Sequence, residues 1–180
     1  SDVYKRQLQS TLNALRAVRP NIDASVTAHQ FLLKHEGDTT RSLDVGEVCA
    51  VLQSLVQHQP VENGTNVGPS VNHSGLLRRL LDVLDHHRLT MTALHLDGDT
   101  AHRLGLAASH LQRYEWAEGA LGVAYQLSPG HQSVLEGLEH IARLRGDDAL
   151  HRHWLEARMK LTPDDPCLLY TSPSPRDSGQ

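Results

Sequence analysis

Apolar residues in the second half of the chain recur at intervals of three, four and seven, which is the spacing of one face of an α-helix. The pattern repeats after 34 residues, and each repeat holds two helices separated by a polar turn. The four predicted helices cover residues 101–111, 116–127, 134–144 and 150–161. Pro129 and Pro163 end the second and the fourth helix, since proline disrupts a helix interior. The sequence therefore predicts two successive helical hairpins of equal length.

The two hairpins also share residue types at equivalent positions. A shift of 34 superposes Ala101 on Leu135, Leu104 on Leu138, Ala108 on Ala142, Leu121 on Leu155, Leu127 on Leu161 and Pro129 on Pro163. A helix-turn-helix unit of this length resembles the tetratricopeptide repeat. In residues 98–131 the resemblance is carried by Leu104-Gly105, Ala108, Tyr114, Ala117, Leu121, Ala124 and Leu127-Ser128-Pro129. The small residues among them imply that the two helices approach closely.

Residues 132–165 resemble the repeat less well. Gly146 occupies the position of the family's turn glycine. However, Glu139 replaces the glycine of the first helix, and His151 and Arg158 replace the two alanines of the second. Because larger polar side chains stand where the family has small ones, we expect either looser packing in this divergent repeat or the start of a different element.

The first half of the chain lacks the 34-residue period, and its proline stops, Pro20 and Pro60, lie 40 residues apart. We interpret residues 8–59 as degenerate helical repeats, in which one helix ends at Arg19-Pro20 and a hairpin follows at 24–35 and 45–58. Residues 60–74 are rich in Gly, Asn, Pro and Ser and predict a loop. Residues 75–97 predict a degenerate hairpin whose second helix covers 89–96. The resemblance implies an all-α fold, with antiparallel helical hairpins stacked as a short right-handed solenoid.

Both ends of the chain look foreign to this pattern. Residues 1–7 and 167–180 resemble translated transposon sequencing adaptors, and the second stretch has neither helical nor strand periodicity. Such segments are excluded from fold reasoning. We therefore expect the native part to be residues 8–166, a piece of a longer protein with one cysteine, Cys49.

Charge limits the classes of partner. The chain has 17 Lys+Arg against 21 Asp+Glu, a net charge of −4, so it lacks the basic surplus that neutralises nucleic-acid phosphates. No apolar run approaches the roughly 18 residues that a membrane span needs. Neither nucleic acid nor a membrane is expected as a partner. The scarcity of cysteine favours a reducing compartment and hence a cytoplasmic location.

Candidate chemistry is sparse. The chain has thirteen histidines, but no two are separated by the three or four residues that place metal ligands on one helix face. The motifs of hydrolases, phosphate-binding loops and redox pairs are absent from the sequence. Cys49 lies among apolar residues and predicts a buried structural thiol. We therefore expect no catalytic residue, no metal site and no cofactor, although titration of the histidines near pH 6 would change the net charge.

The resemblance does imply a binding surface, because the first helix of each repeat lines a concave groove that takes extended peptides or helices. The positions that match the family's groove are Asp99, His102, Leu106, Ser109, Ser133, Glu136, His140 and Arg143. Family members that grip a carboxylate-ended peptide use Lys and Asn there. This chain has other residues at those places, so that specific activity is not expected.

The sequence thus predicts a noncatalytic scaffold that binds a protein or peptide partner through a concave helical groove. The alternative is a substrate-recruiting arm of a larger enzyme, a transferase or hydroxylase, whose catalytic domain lies outside this chain. A third hypothesis is a sensor of metal or pH that depends on the histidines.

Overall fold

The computed structural model describes residues 2–57 and 73–162, and of residues 15–21 it describes the backbone only. Within these residues the secondary structure is entirely helical, which confirms the predicted all-α class. The helices are α1 Asp2–His35, α2 Val45–Val56, α3 Ser74–His86, α4 Gly98–His110, α5 Tyr114–Leu127, α6 Gln132–Leu144 and α7 Asp148–Leu161, with one 3-10 turn at Met91–Ala93. They form two compact units, Ser1–His95 and Leu96–Gln180.

In the first unit, the C-terminal half of α1 packs against α2 and α3. Its buried residues are Ala24, Ala28, Phe31, Leu32 and His35, at the spacing of one helix face. The chain leaves α1 through Gly37, whose φ of +83° lies in the left-handed region that glycine adopts without strain. Asp44 then caps α2 by accepting a hydrogen bond from the backbone N–H of Gly46 at 3.0 Å.

Two predictions for the first half are wrong. The helix does not end at Arg19-Pro20, because α1 continues through Pro20 to His35. A proline removes one backbone hydrogen bond, and the bonds on either side of it hold such a long helix together. The predicted helix at 89–96 is only the 3-10 turn, since Thr90 and Leu94 on either side have extended backbone angles. A segment of this length contains too few hydrogen bonds to offset helix nucleation.

Other expectations for this part of the chain have mixed outcomes. Cys49 is half-buried rather than buried, because it lies at the edge of the face on which Val48, Val51 and Leu52 are buried. Residues 2–7, predicted to be adaptor-derived, form the first turns of α1. Nearly all of the predicted loop, and the adaptor-like segment 167–180, lie outside the described residues.

The second unit consists of two hairpins, α4 with α5 and α6 with α7. Each helix of the second hairpin begins and ends 34 residues after its counterpart in the first. Both turns also contain a left-handed residue at equivalent positions, Gln112 with φ +61° and Gly146 with φ +73°. The sequence period is therefore a period of the backbone as well.

All four helices of the second unit begin two or three residues before the apolar pattern predicts, and aspartates cap two of them, α4 and α7. Asp97 accepts a hydrogen bond from the backbone N–H of Thr100 at 2.6 Å, and Asp147 accepts one from that of Leu150 at 3.0 Å. These bonds satisfy N–H groups that have no partner within the helix. Apolar periodicity cannot detect such a turn, because its residues are polar.

Candidate interaction surface

The eight residues predicted to line a groove lie on α4 and α6, which contact each other. On each helix they are spaced by three, four and three residues, so they share one helix face. The residues on α4 are Asp99, His102, Leu106 and Ser109, and those on α6 are Ser133, Glu136, His140 and Arg143.

Two contacts join this face across the two helices. His102 Nε2 and Ser133 Oγ share a hydrogen bond of 3.3 Å. Further along, Leu106 lies beside Gly137, since a Cβ atom added to Gly137 would be in ordinary contact with Leu106 Cδ2 at 3.8 Å. The structure therefore brings two predicted residues, His102 and Ser133, into direct contact, and it places Leu106 beside a residue of α6 that was not predicted.

His102 is more deeply placed than a partner-contacting residue would be. It is only 5% exposed, and its ring meets that of His131 edge-on, with the ring centroids 5.0 Å apart. His131 itself is exposed and immediately precedes α6. The pattern of helix positions could not find this contact, because His131 lies outside the helical period. The ring of His102 thus packs between helices and leaves most of the accessible surface to its neighbours.

The accessible part of the face is polar and of mixed charge. Asp99, Glu136, His140 and Arg143 are exposed, while Leu106, Ser109 and Ser133 are half-buried. Arg103 Nε donates to Asp99 Oδ2 at 3.0 Å. Arg143 Nη2 lies 3.4 Å from His140 Nδ1, so these two side chains form a basic patch at the end of α6. Acidic and basic groups therefore alternate along the surface.

A buried ion-pair cluster lies between α6 and α7, directly behind this face. Glu139 is 6% exposed and accepts from Arg158 Nη1, and its other oxygen lies 3.2 Å from His151 Nε2. Arg158 also reaches the exposed face, where its Nη2 lies 3.4 Å from Glu136 Oε1. We call Glu139, His151, Arg158 and Glu136 the Glu139 cluster. It connects the interior of the second hairpin to the predicted groove.

The three departures from the family pattern thus meet in one cluster, because Glu139 contacts both His151 and Arg158. The equivalent positions of the first hairpin hold Gly105, Ala117 and Ala124, all buried in apolar contact. Glu139, His151 and Arg158 each bring a larger polar side chain into the hairpin, and together they form hydrogen-bonded ion pairs there. The sequence does contain a signal for this cluster, because an acidic residue on α6 faces basic residues on α7. Comparison with the small residues of the first repeat draws attention to their size and away from their opposite charges.

Other chemistry is limited in the described part of the chain. No three His, Cys, Asp or Glu side chains there are grouped as a metal site would require. None of the described helices combines the length and the apolar character needed to cross a bilayer. A further polar feature beside the surface is the cap of α4, where the Thr100 backbone N–H holds the pKa of Asp97 below its usual value.

No protein-family model matches the chain, and no match is found among the curated proteins or the solved structures. The interpretation of this surface therefore depends on its own residues and geometry.

Proposed function

We propose that the second unit is a noncatalytic tetratricopeptide-type scaffold that binds a protein or peptide through the face formed by α4 and α6. The observation that carries the proposal is the 34-residue repetition of helix bounds and turns in α4–α7. Repeated hairpins place their first helices side by side, which makes a surface suited to an extended peptide or a helix. The proposed partner contacts are the accessible members of this face.

The charge pattern of the face supports a polar partner. Glu136 is held by Arg158 from behind, while Arg143 and His140 lie one to two turns further along α6. A partner whose basic group meets Glu136 and whose acidic group meets Arg143 would complement both. Electrostatic matching of this kind contributes specificity and association rate more than affinity.

Peptides selected from a random display library against the full chain provide the test. The double variant His140→Ala, Arg143→Glu changes only exposed side chains, and we expect it to weaken the selected peptides about tenfold or more, as loss of a main contact does. Arg152→Glu is the matched control, because Arg152 is exposed on α7 and lies outside the face. Equal affinity of the double variant and the wild type would reject this surface as the binding site.

A further inference from the structure

A histidine-lined cavity lies between the C-terminal end of α1 and α3, in the unit that has no proposed role. Its volume is about 220 Å³. The lining residues are His35, Glu36, Gly37, Thr39, Arg79, Asp82, Val83, His86 and His87. Three of the chain's thirteen histidines therefore meet around one small space.

Two of these rings bring unpaired nitrogen atoms into the interior. His35 is only 5% exposed, and its ring packs on Phe31 with the centroids 4.6 Å apart. Among the described residues, neither His35 Nδ1 nor His87 Nε2 has a hydrogen-bond partner, although both atoms are buried. A neutral imidazole tolerates such a place, whereas a charged one loses its hydration there without gaining a partner.

We propose that this cavity is an acid-sensitive joint, in which a proton bound by His35 separates the end of α1 from α3 as the pH falls below neutrality. The charged and titratable groups facing His35 come from every element around it: Lys34 and Glu36 on or just after α1, Arg41 in the following segment, Glu47 on α2, and Arg79, Asp82, His86 and His87 on or just after α3. Glu47 favours the charged imidazole, while Lys34, Arg41 and His87 oppose it.

The direction of the response follows from burial. Burial lowers the pKa of His35 from the ordinary histidine value of 6.5, and the nearby cations act in the same direction. The open form therefore binds a proton more readily than the closed form. The closed form is fully favoured above about pH 6.5 and loses stability as the pH falls from there toward the lowered pKa.

An ion pair across the same two helices does not titrate in this range. Arg79 donates to Glu36 through Nε at 2.8 Å and through Nη2 at 2.6 Å. The Arg79 bond lowers the pKa of Glu36, so the pair stays charged throughout mild acid. The acid response of the joint is therefore assigned to His35, whose buried ring has an unpaired nitrogen.

Hydrogen exchange of the full chain at pH 7.5 and pH 5.5, corrected for intrinsic exchange rates, tests the joint. One proton taken up on opening changes the opening equilibrium by up to about tenfold per pH unit. We expect protection at the end of α1 and in α3 to fall several-fold in acid. His35→Phe should abolish this fall and retain the Phe31 contact, while His29→Gln, an exposed histidine of α1, should leave it unchanged.

A second measurement applies to the wild type alone and covers the case in which His35→Phe does not fold. The ring signals of His35, followed by NMR across the same pH range, should titrate below 6.5. Unchanged protection in the wild type, an undiminished acid response in a folded His35→Phe variant, or titration of His35 at or above 6.5 would each overturn the proposal.

Discussion

Gly105 sets the distance between α4 and α5. A Cβ atom at this position would lie 2.5 Å from Leu121 Cγ and 3.2 Å from the Leu121 backbone nitrogen. The first is closer than nonbonded carbon atoms come, and the second involves backbone that cannot rotate away. The glycine of the sequence pattern therefore has a specific packing role, which is to admit the Leu121 side chain.

Gly105→Ala should destabilise the second unit by about 1–3 kcal/mol through overpacking. Gly122→Ala is the matched control, because its added Cβ would meet nothing within 4 Å. A helix-interior alanine there should stabilise by about 0.5–1 kcal/mol. Urea unfolding measures both, followed by the fluorescence of Trp116 and Trp154, the chain's two tryptophans, which lie in this unit. Equal effects of the two variants would contradict the packing argument.

The cap residue Asp97 gives a second prediction at this scale. Asp97→Ala should cost about 1 kcal/mol by leaving the Thr100 N–H without its acceptor, and Asp97→Asn should cost less because its amide oxygen still accepts. The pKa of Asp97 is lowered from 3.8, so its charge-dependent stabilisation is present above that pH and is lost as the pH falls through the lowered pKa. Thermal midpoints of Asp97→Asn from pH 7 to 2.5 should therefore fall less steeply than those of the wild type. If the thermal midpoints of Asp97→Asn and of the wild type fell equally steeply with pH, the Asp97 cap would be excluded as the source of the acid-dependent loss of stability.

At the scale of helices, the two hairpins reach the same geometry with different chemistry. The hairpin α4–α5 uses small residues around Leu121, whereas α6–α7 places the Glu139–Arg158 ion pair at the equivalent interface. A buried ion pair contributes little net stability compared with apolar residues of similar volume, but removal of one partner leaves an uncompensated charge. At the α6–α7 interface, a substitution of Glu139 or of Arg158 is therefore tolerated only when the other charge of the pair is removed as well.

Glu139→Gln should destabilise the second unit by up to about 3 kcal/mol, because it removes the buried counter-charge of the largely buried Arg158 and leaves only the exposed Glu136, 3.4 Å away. The double variant Glu139→Met, Arg158→Met removes both charges and keeps similar volumes. Its stability should lie within about 1 kcal/mol of the wild type or above it. Urea unfolding of the single and the double variant measures the free energy of unfolding of each and distinguishes loss of one charge from loss of the pair. A double variant less stable than Glu139→Gln would show that the pair itself contributes net stability.

The sequence predicted helices well where the apolar period and a stop signal agree, as at the ends of α5 and α6. The sequence-based prediction was wrong at Pro20, where a proline was expected to end the helix but α1 continues. It was also wrong at 89–96, where the apolar residues form only a 3-10 turn. Of the candidate site, the sequence predicted the face of α4 and α6 but not the depth of His102. Burial depends on neighbours such as His131 that lie outside any helical pattern.

At the scale of the whole molecule, the two units differ in regularity. The second repeats its helix bounds after 34 residues, while the first combines a helix of 34 residues with helices of 12 and 13. Periodicity made the second unit predictable, since each repeat supplies a check on the other. The first unit has no internal repeat, so its sequence supplies no second copy of the core positions.

The whole chain should reverse its net charge near neutrality. Its formal charge is −4 at pH 7 with the thirteen histidines neutral, and histidine side chains ordinarily titrate near 6.5. Protonation of fewer than half of them offsets the acidic excess, so we expect the electrophoretic mobility to change sign between about pH 6 and 7. Isoelectric focusing of the native chain measures this, with the urea-unfolded chain as the control. Because folding lowers the pKa of His35, the native chain should focus at the same pH as the unfolded one or slightly below it. A native isoelectric point below 5.5 would mean that most of the histidines do not take up protons in the folded protein, in conflict with the exposed positions of seven of the twelve histidines that the structure describes.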